Sequence, residues 1–523
     1  MKTKQLFKSH LFSLAALFSM ALTAVSCANE DIVQNGKTGD NGKGFATFVA
    51  GEPAQTRTSI DYATGDFYWE EGDKIYVKDD DGTMQVSNTV DAAHAHSASF
   101  KFKVPGKFGG SANYKVYYLG KNSSSNQVTI PTAQTQTTPN TTDHLGNSGD
   151  YGTATATGTL GGSVFSFQLE HQATYLVFQP YTSNAVLKNC YLTKIEVNSD
   201  DDIAETYTIN SSTGNLNGSA GSKQIVLTTK DPVAGSTNEK GFSFTNAASI
   251  STADKVYMLI KPGAHTLKVR YWVKDYDTNV EGTITKVLSS FNYDKNTYYD
   301  MTANLNVRNY DGDKYYMWDA QQNYWAGHEW NSISPWQPTL TTQPANPNYA
   351  KNNADLRYYH EGGGSGRFDA TQSCTTLPNV NEMTWYAAKG DPRWDKDELW
   401  TTMGHLYKGG MWFKKKAYIS GYNSTTAVDG TDWRTANKDQ TWTTVSQTLP
   451  SSADANKYFY LPALGAYTLG LLNVLGDLGA YWTSSGTISQ GSSSYGLTFD
   501  NGSIKIAYYY ASHNGYRVEP SFQ

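Results

Sequence analysis

Cysteine is scarce in this chain: Cys27, Cys190 and Cys374 are spread over 523 positions with no CxxC pair. Neither a disulfide framework nor a cysteine zinc site follows from that spacing. Charge is low as well, at 17%, and the net value of -6 is not gathered into any basic stripe, which argues against a nucleic-acid partner. The apolar run Leu11 to Leu22 is too short to cross a bilayer comfortably. Paired carboxylates, a nucleophilic triad and spaced metal ligands are all missing, so the chain is expected not to be an enzyme, with no metal and no cofactor. Asp79-Asp80-Asp81-Gly82 lacks the distal bidentate carboxylate of a calcium loop and reads as a hairpin turn. His94 and His96 would share one face of a strand, but no third ligand is near, and Glu170 with His171 read as turn or edge residues.

What is abundant points to β structure. Tyr (37), Gly (46), Ser and Thr suit short strands and turns better than helical bundles, and the length fits two to four domains. Lys2, Lys4 and Lys8 precede the apolar run, and Leu22-Thr23-Ala24-Val25-Ser26-Cys27 follows it, the layout of a secretory signal over residues 1–26. This resembles a bacterial lipobox, which implies cleavage before Cys27 and acylation of its thiol. Ala28-Asn29-Glu30-Asp31 resembles the export signal of Bacteroidetes surface lipoproteins, which implies the outer membrane and the cell surface. Residues 27–44 are polar and glycine-rich, a flexible tether.

Phe45-Ala46-Thr47-Phe48-Val49-Ala50 reads as a strand, and Gly51 to Ser59 as an exposed loop holding Arg57, the only arginine before Arg270. Further strands are expected at 99–104 and 114–119, then a long polar loop over 122–140 with a short strand at 128–130. Ser163 to Phe178 reads as two consecutive strands of one buried sheet. Two β-domains in series are the simplest count, 45–181 and 182–307.

The order FATFVAG, TRTS, FYWEEGDKIYV, SVFSFQLEHQATYLVFQ, LTKIEV and a Tyr-rich closing strand resembles the fimbrillin family of Bacteroidetes type V pili over Cys27 to Val307. The resemblance implies two transthyretin-like β-sandwiches. It also implies an Arg-specific cut between Arg57 and Thr58 that removes the strand Phe45 to Ala50. A strand from another pilus subunit would fill the vacated groove, which satisfies backbone groups left open.

Eleven of the thirteen tryptophans lie from Trp318 onward, and a third domain is expected over 308–523. Asn379 as N-cap, Glu382 in capping-box position and Gly390 at the end mark the best helix, with Val380, Met383 and Ala387 on one stripe. Asn501-Gly502 predicts a type I′ hairpin pairing Phe499 with Ile504 and Leu497 with Ile506. Tyr460-Leu461-Pro462-Ala463, Tyr481-Trp482-Thr483-Ser484-Ser485 and Tyr516-Arg517-Val518-Glu519-Pro520 resemble the major paralogous domain of Bacteroidetes surface proteins. That family implies an α+β, C-type-lectin-like fold related to the formylglycine-generating enzymes. Those enzymes use two active-site cysteines, whereas this domain has only Cys374, and the carboxylate–amide calcium motif of lectins is missing too.

Outward residues of the hairpin, Lys505 and Tyr509, with His513 beyond them, are the candidate ligand contacts. The expectation is therefore a pilus tip or accessory adhesin binding a glycan or protein ligand, with a chain ending inside a globular domain rather than in a donor strand. The alternative is a permanently lipid-anchored glycan-binding lipoprotein.

Overall fold

The computed structural model describes residues 44–51, 59–60, 67–121, 123, 126–210, 213–244, 254–339, 344–362, 365–489, 491–519 and 522. It is mostly β, with 42% strand and, among the described residues, one α-helix, Val380–Lys389. The chain forms two compact units. One comprises residues up to Tyr181 with Thr193–Tyr271 and Thr285–Asn304, and the other comprises Thr182–Leu192, Trp272–Ile284 and Leu305–Gln523.

In the first unit an eight-stranded sheet runs in the order Met84–Val86, Tyr76–Lys78, Asn113–Tyr118, Gly152–Gly158, Val164–Phe167, Phe45–Ala50, Lys101–Pro105, with Glu170–His171 pairing beside Gly152–Gly158. Period-two alternation builds it: Phe102 and Val104 point inward between exposed Lys101 and Lys103, and Ala46, Phe48 and Ala50 do the same from the first strand. These side chains meet Trp69, Val116 and Phe165 in one core.

Three further sheets use strands from both sides of position 181. Thr174–Tyr181 pairs with Val256–Ile260 and Thr297–Asn304, Gln127–Ile130 pairs with Ala204–Ile209, and Ala133–Thr135 pairs with Gln224–Thr228. Val164–Phe167 and Thr174–Tyr181 consequently lie in different sheets rather than in one. The polar stretch 122–140 also departs from a loop, because Ala133–Thr135 is a strand and its glutamines are structural. Buried Gln134 accepts from Leu259 N (3.0 Å) and donates to Leu259 O (2.8 Å), while Gln136 accepts from Tyr257 N (2.8 Å). The side-chain amides complete the edge of a strand whose other edge pairs with Thr174–Tyr181.

His94 and His96 are not on a strand: Ala92–His94 is a 3-10 turn capped by Asp91, and His96 bonds Glu70 at 3.0 Å while stacking on Tyr68. Asp79 to Gly82 does form the turn between Tyr76–Lys78 and Met84–Val86. His171 belongs to an edge strand yet is buried, bonded to buried Asp150 at 2.9 Å.

The second unit is α+β. One sheet runs Arg308–Tyr310, Arg393–Thr402, His405–Lys414, Tyr458–Pro462, and another runs Tyr315–Tyr316, Tyr516–Arg517, Gly479–Gly486, Ser493–Phe499, Ile504–Ala511, Gln440–Trp442. The helix has the expected reciprocal capping box between Asn379 and Glu382, and Val380, Met383 and Ala387 pack with Leu497, Phe499, Ile504 and Ile506. Gly390 keeps φ at -74°, and the left-handed residue that ends the helix is the next one, Asp391, with φ at 47°. The hairpin pairs Leu497 with Ile506 and Phe499 with Ile504 as expected, but the turn is not type I′. Neither Asn501 nor Gly502 has a positive φ. Asp500 Oδ1 instead accepts from Gly502 N (2.9 Å) and Ser503 N (2.7 Å), which replaces the left-handed geometry by a side-chain-bonded turn.

Candidate functional site

Among the described residues, two places stand out: the slot occupied by the first strand, and a cleft in the second unit. Phe45–Ala50 runs antiparallel to Lys101–Pro105 and parallel to Val164–Phe167, so both its edges are bonded. Thr47 N donates to Ser163 O (2.8 Å), Ala50 N to Phe100 O (3.1 Å) and Gly51 N to Phe167 O (3.0 Å). Phe48 is fully buried, its ring 5.2 Å from Phe165 and 5.3 Å from Phe108. Without this strand two backbone ladders and an aromatic trough would face water, a strong template for another extended segment. Cys27, Arg57 and Thr58 lie outside the described residues.

Lys505 and Tyr509 stand together on the hairpin, the ammonium 4.9 Å from the ring centre, with Tyr509 45% exposed. His513 sits in the turn beyond, and burial lowers its pKa from the ordinary 6.5. A cleft of about 660 Å³ opens elsewhere, and none of the three lines it.

The floor of that cleft is one face of the four-stranded sheet, where aromatic residues recur on each strand: Tyr310, Trp400, Trp412, Tyr458 and Tyr460. Trp412 and Tyr460 are cross-strand partners with rings 5.0 Å apart, and Trp412 Nε1 donates to Asp395 Oδ2 at 3.1 Å. Tyr460 lies across Gly410, where a Cβ would meet its hydroxyl at 2.4 Å, so glycine is needed there. Arg308 donates to the Tyr310 hydroxyl at 3.3 Å. Glu398 lines the mouth and is exposed; desolvation by the cleft and then the Asp395 carboxylate raise its pKa above the ordinary 4.5 against the pull of Arg308.

Arg517 of the YRVEP stretch is buried under this region, donating to Asp311 O (2.6 Å) and Glu519 Oε2 (3.0 Å) with its guanidinium 4.9 Å from the Tyr315 ring. Cys374 is buried too, its Sγ accepts from Asp319 N at 3.3 Å, and burial pushes the thiol well up. Buried Asp319 gathers the same loop, accepting from the N–H groups of Thr371, Gln372 and Cys374.

The sequence reading missed both the cleft and one cluster of metal-type ligands. Asp275, Asp277 and His405 bring ligand atoms within 4.8 Å of one another. Asp275 is already committed: it accepts from Leu406 N (3.0 Å) and Asp277 N (2.9 Å) and pairs with His405 Nδ1 (3.3 Å), which describes a turn closed by an ion pair. The cleft had a readable trace in the alternating aromatics of Tyr458-Phe459-Tyr460, but the strands that share its floor are distant in sequence.

No protein-family model matches the chain, and no curated protein matches it. Among solved structures it is similar to a candidate cell adhesion protein of Bacteroides ovatus, at 13% identity over 50% of this chain and 92% of that one, with a TM-score of 0.30. A counterpart from Bacteroides uniformis shows 14% identity over 50% and 93%, with a TM-score of 0.30. The fimbrial anchor protein Mfa2 from Porphyromonas gingivalis shows 12% identity over 46% and 82%, with a TM-score of 0.24. A likeness of this degree carries no argument about function.

Proposed function

We propose that the chain is a cell-surface adhesin of a pilus, a tip or accessory subunit that reaches the outer membrane as a lipoprotein acylated at Cys27. Cutting between Arg57 and Thr58 frees the segment Phe45 to Ala50, and another pilus subunit donates a strand to the slot. The observation that carries this reading is the position of that strand. It is bonded on both edges and contributes Phe48 to the core, yet its partners come from later in the chain. Its departure leaves both Val164–Phe167 and Lys101–Pro105 with an open edge, and that slot asks for an extended segment in return.

Recognition belongs to the residues from 308 onward, an α+β domain of C-type-lectin-like kind that binds a glycan or protein ligand without catalysis. The buried, hydrogen-bonded Cys374 supports the non-enzymatic side, because a thiol held neutral and out of solvent is no nucleophile.

N-terminal sequencing of the protein taken from the cell surface tests the assembly reading. A start at Thr58 agrees with it, whereas a mature protein that begins at acylated Cys27 replaces it with the permanently anchored lipoprotein.

A further inference from the structure

We propose that the aromatic-floored cleft of the second unit binds an acidic sugar, a uronic or sialic acid unit of a glycan, with the ring on Trp412 and the carboxylate among Arg308, Lys314 and Lys415. This deepens the recognition reading above and rests on it. The volume of about 660 Å³ lies within the range of about 300–1,000 Å³ usual for small-ligand sites and admits more than one sugar ring.

The floor selects a ring. Trp412 is the half-buried aromatic of the cleft, and its indole N–H is tied to Asp395, which fixes the plane of the ring while part of the side chain stays open. Buried Tyr460, its cross-strand partner, supports it with the rings 5.0 Å apart. A pyranose has one face made largely of C–H groups, and such a face packs on a rigid, pre-oriented aromatic plane at little entropic cost.

The rim selects the charge. Lys314 and Lys415 line the cleft, and among the described residues neither ammonium has an ion-pair partner. The guanidinium of Arg308 has the Tyr310 hydroxyl as its hydrogen-bond partner and keeps further donors free for a carboxylate. Of the three acids at the rim, Glu519 is paired with Arg517 and Glu398 has its pKa raised, which leaves Asp311 as an acid with no ion-pair partner among the described residues. Three cations thus face Asp311 and a Glu398 carboxyl that holds its proton more tightly than a free one. A neutral sugar would leave the ammoniums without a partner, and a polyphosphate would crowd Asp311, Glu398 and Glu519. A single carboxylate on a polyol fits between these limits.

Glu398 gives the site a pH dependence. The groups facing it are Asp395 on its own strand, Arg308 and Tyr310 on the neighbouring one, and Tyr460 across the floor. Lys314, Lys415, Asp311 and Glu519 stand around the rim. An anionic sugar binds best when Glu398 carries its proton. The protonated fraction of Glu398 falls between pH 6 and pH 8, and the affinity falls with it.

The test uses the full-length purified protein with methyl β-D-glucuronide, the methyl glycoside of N-acetylneuraminic acid, and methyl β-D-glucoside as the neutral control. Binding is read by saturation-transfer NMR and titration calorimetry at pH 6 and pH 8. At least one acidic glycoside is expected to bind at least tenfold more tightly than the glucoside, and more tightly at pH 6 than at pH 8. Glu398→Gln is expected to remove the pH dependence, Lys314→Met with Lys415→Met to erase the preference for the acidic sugar, and Trp412→Phe to weaken all binding. Thermal melting of each variant separates lost binding from lost folding. The proposal is overturned by equal affinity for the glucoside, by no binding of either acidic glycoside, or by a folded Trp412→Phe protein that binds as the parent does. None of these outcomes bears on the cut at Arg57, which N-terminal sequencing decides separately.

Discussion

At the residue scale, two buried glutamines show how a polar side chain can be part of a sheet. Gln134 and Gln136 give their amides to the backbone of Val256–Ile260, so removing one leaves a buried N–H without its acceptor. Such an orphan costs about 1–3 kcal/mol. Gln134→Ala with Gln136→Ala is expected to lower stability by about twice that range in urea unfolding, and an unchanged midpoint would mean that water replaces both amides. In the sequence Ala133-Gln134-Thr135-Gln136 reads as loop because its polarity is visible and its partner strand is not.

The pair of His405 and Asp275 makes a second expectation. The hydrogen bond to Asp275 raises His405 above 6.5. Burial pushes Asp275 up, but the bond from His405 and the N–H groups of Leu406, Asp277 and Thr278 outweigh it and hold the carboxyl below 3.8. The histidine contribution is complete below pH 6.5 and is lost as pH rises through the raised folded value. The aspartate contribution is complete above pH 3.8 and is lost as pH falls through the lowered one. The melting temperature of the parent relative to His405→Asn should therefore be highest between those limits and converge in alkali. A constant difference from pH 5 to about pH 9 would show that His405 acts by packing alone.

At the scale of elements, local signals were readable and the remainder was not. The capping box of Val380–Lys389 lies within four residues, and the structure contains it as the sequence implies. Asn379→Ala should cost about 0.5–2 kcal/mol, measured as a shifted unfolding midpoint. The register of the last hairpin was equally local, because one slipped residue would turn Leu497 and Phe499 out of the core. Its turn type was not local. Asp500 bonds the turn through its side chain, and that choice depends on a rotamer that a dipeptide pattern does not specify.

At the scale of the molecule, the first strand is the informative element. Phe48→Ala in the uncut protein should cost about 3–5 kcal/mol, the usual range for an emptied aromatic site. After cleavage at Arg57 and release of the strand, the melting temperature should fall, and a synthetic peptide of residues 44–51 should restore it. The same peptide carrying Phe48→Ala should not. Full recovery with the alanine peptide would show that backbone pairing alone fills the slot.

The sequence by itself determined that the chain is mostly β, where its helix begins, how its final hairpin is registered, and that Phe45 to Ala50 is a strand with alternate residues inward. All of these depend on residues a few positions apart, for which periodicity and capping are sufficient physics. Tertiary structure alone decided that this strand lies parallel to Val164–Phe167, that Thr174–Tyr181 joins a different sheet, and that Tyr310, Trp400, Trp412 and Tyr460 share one floor beneath unpaired cations. Those neighbours are brought together by chain crossings, and nothing in a local pattern records which distant edge or face a strand will meet.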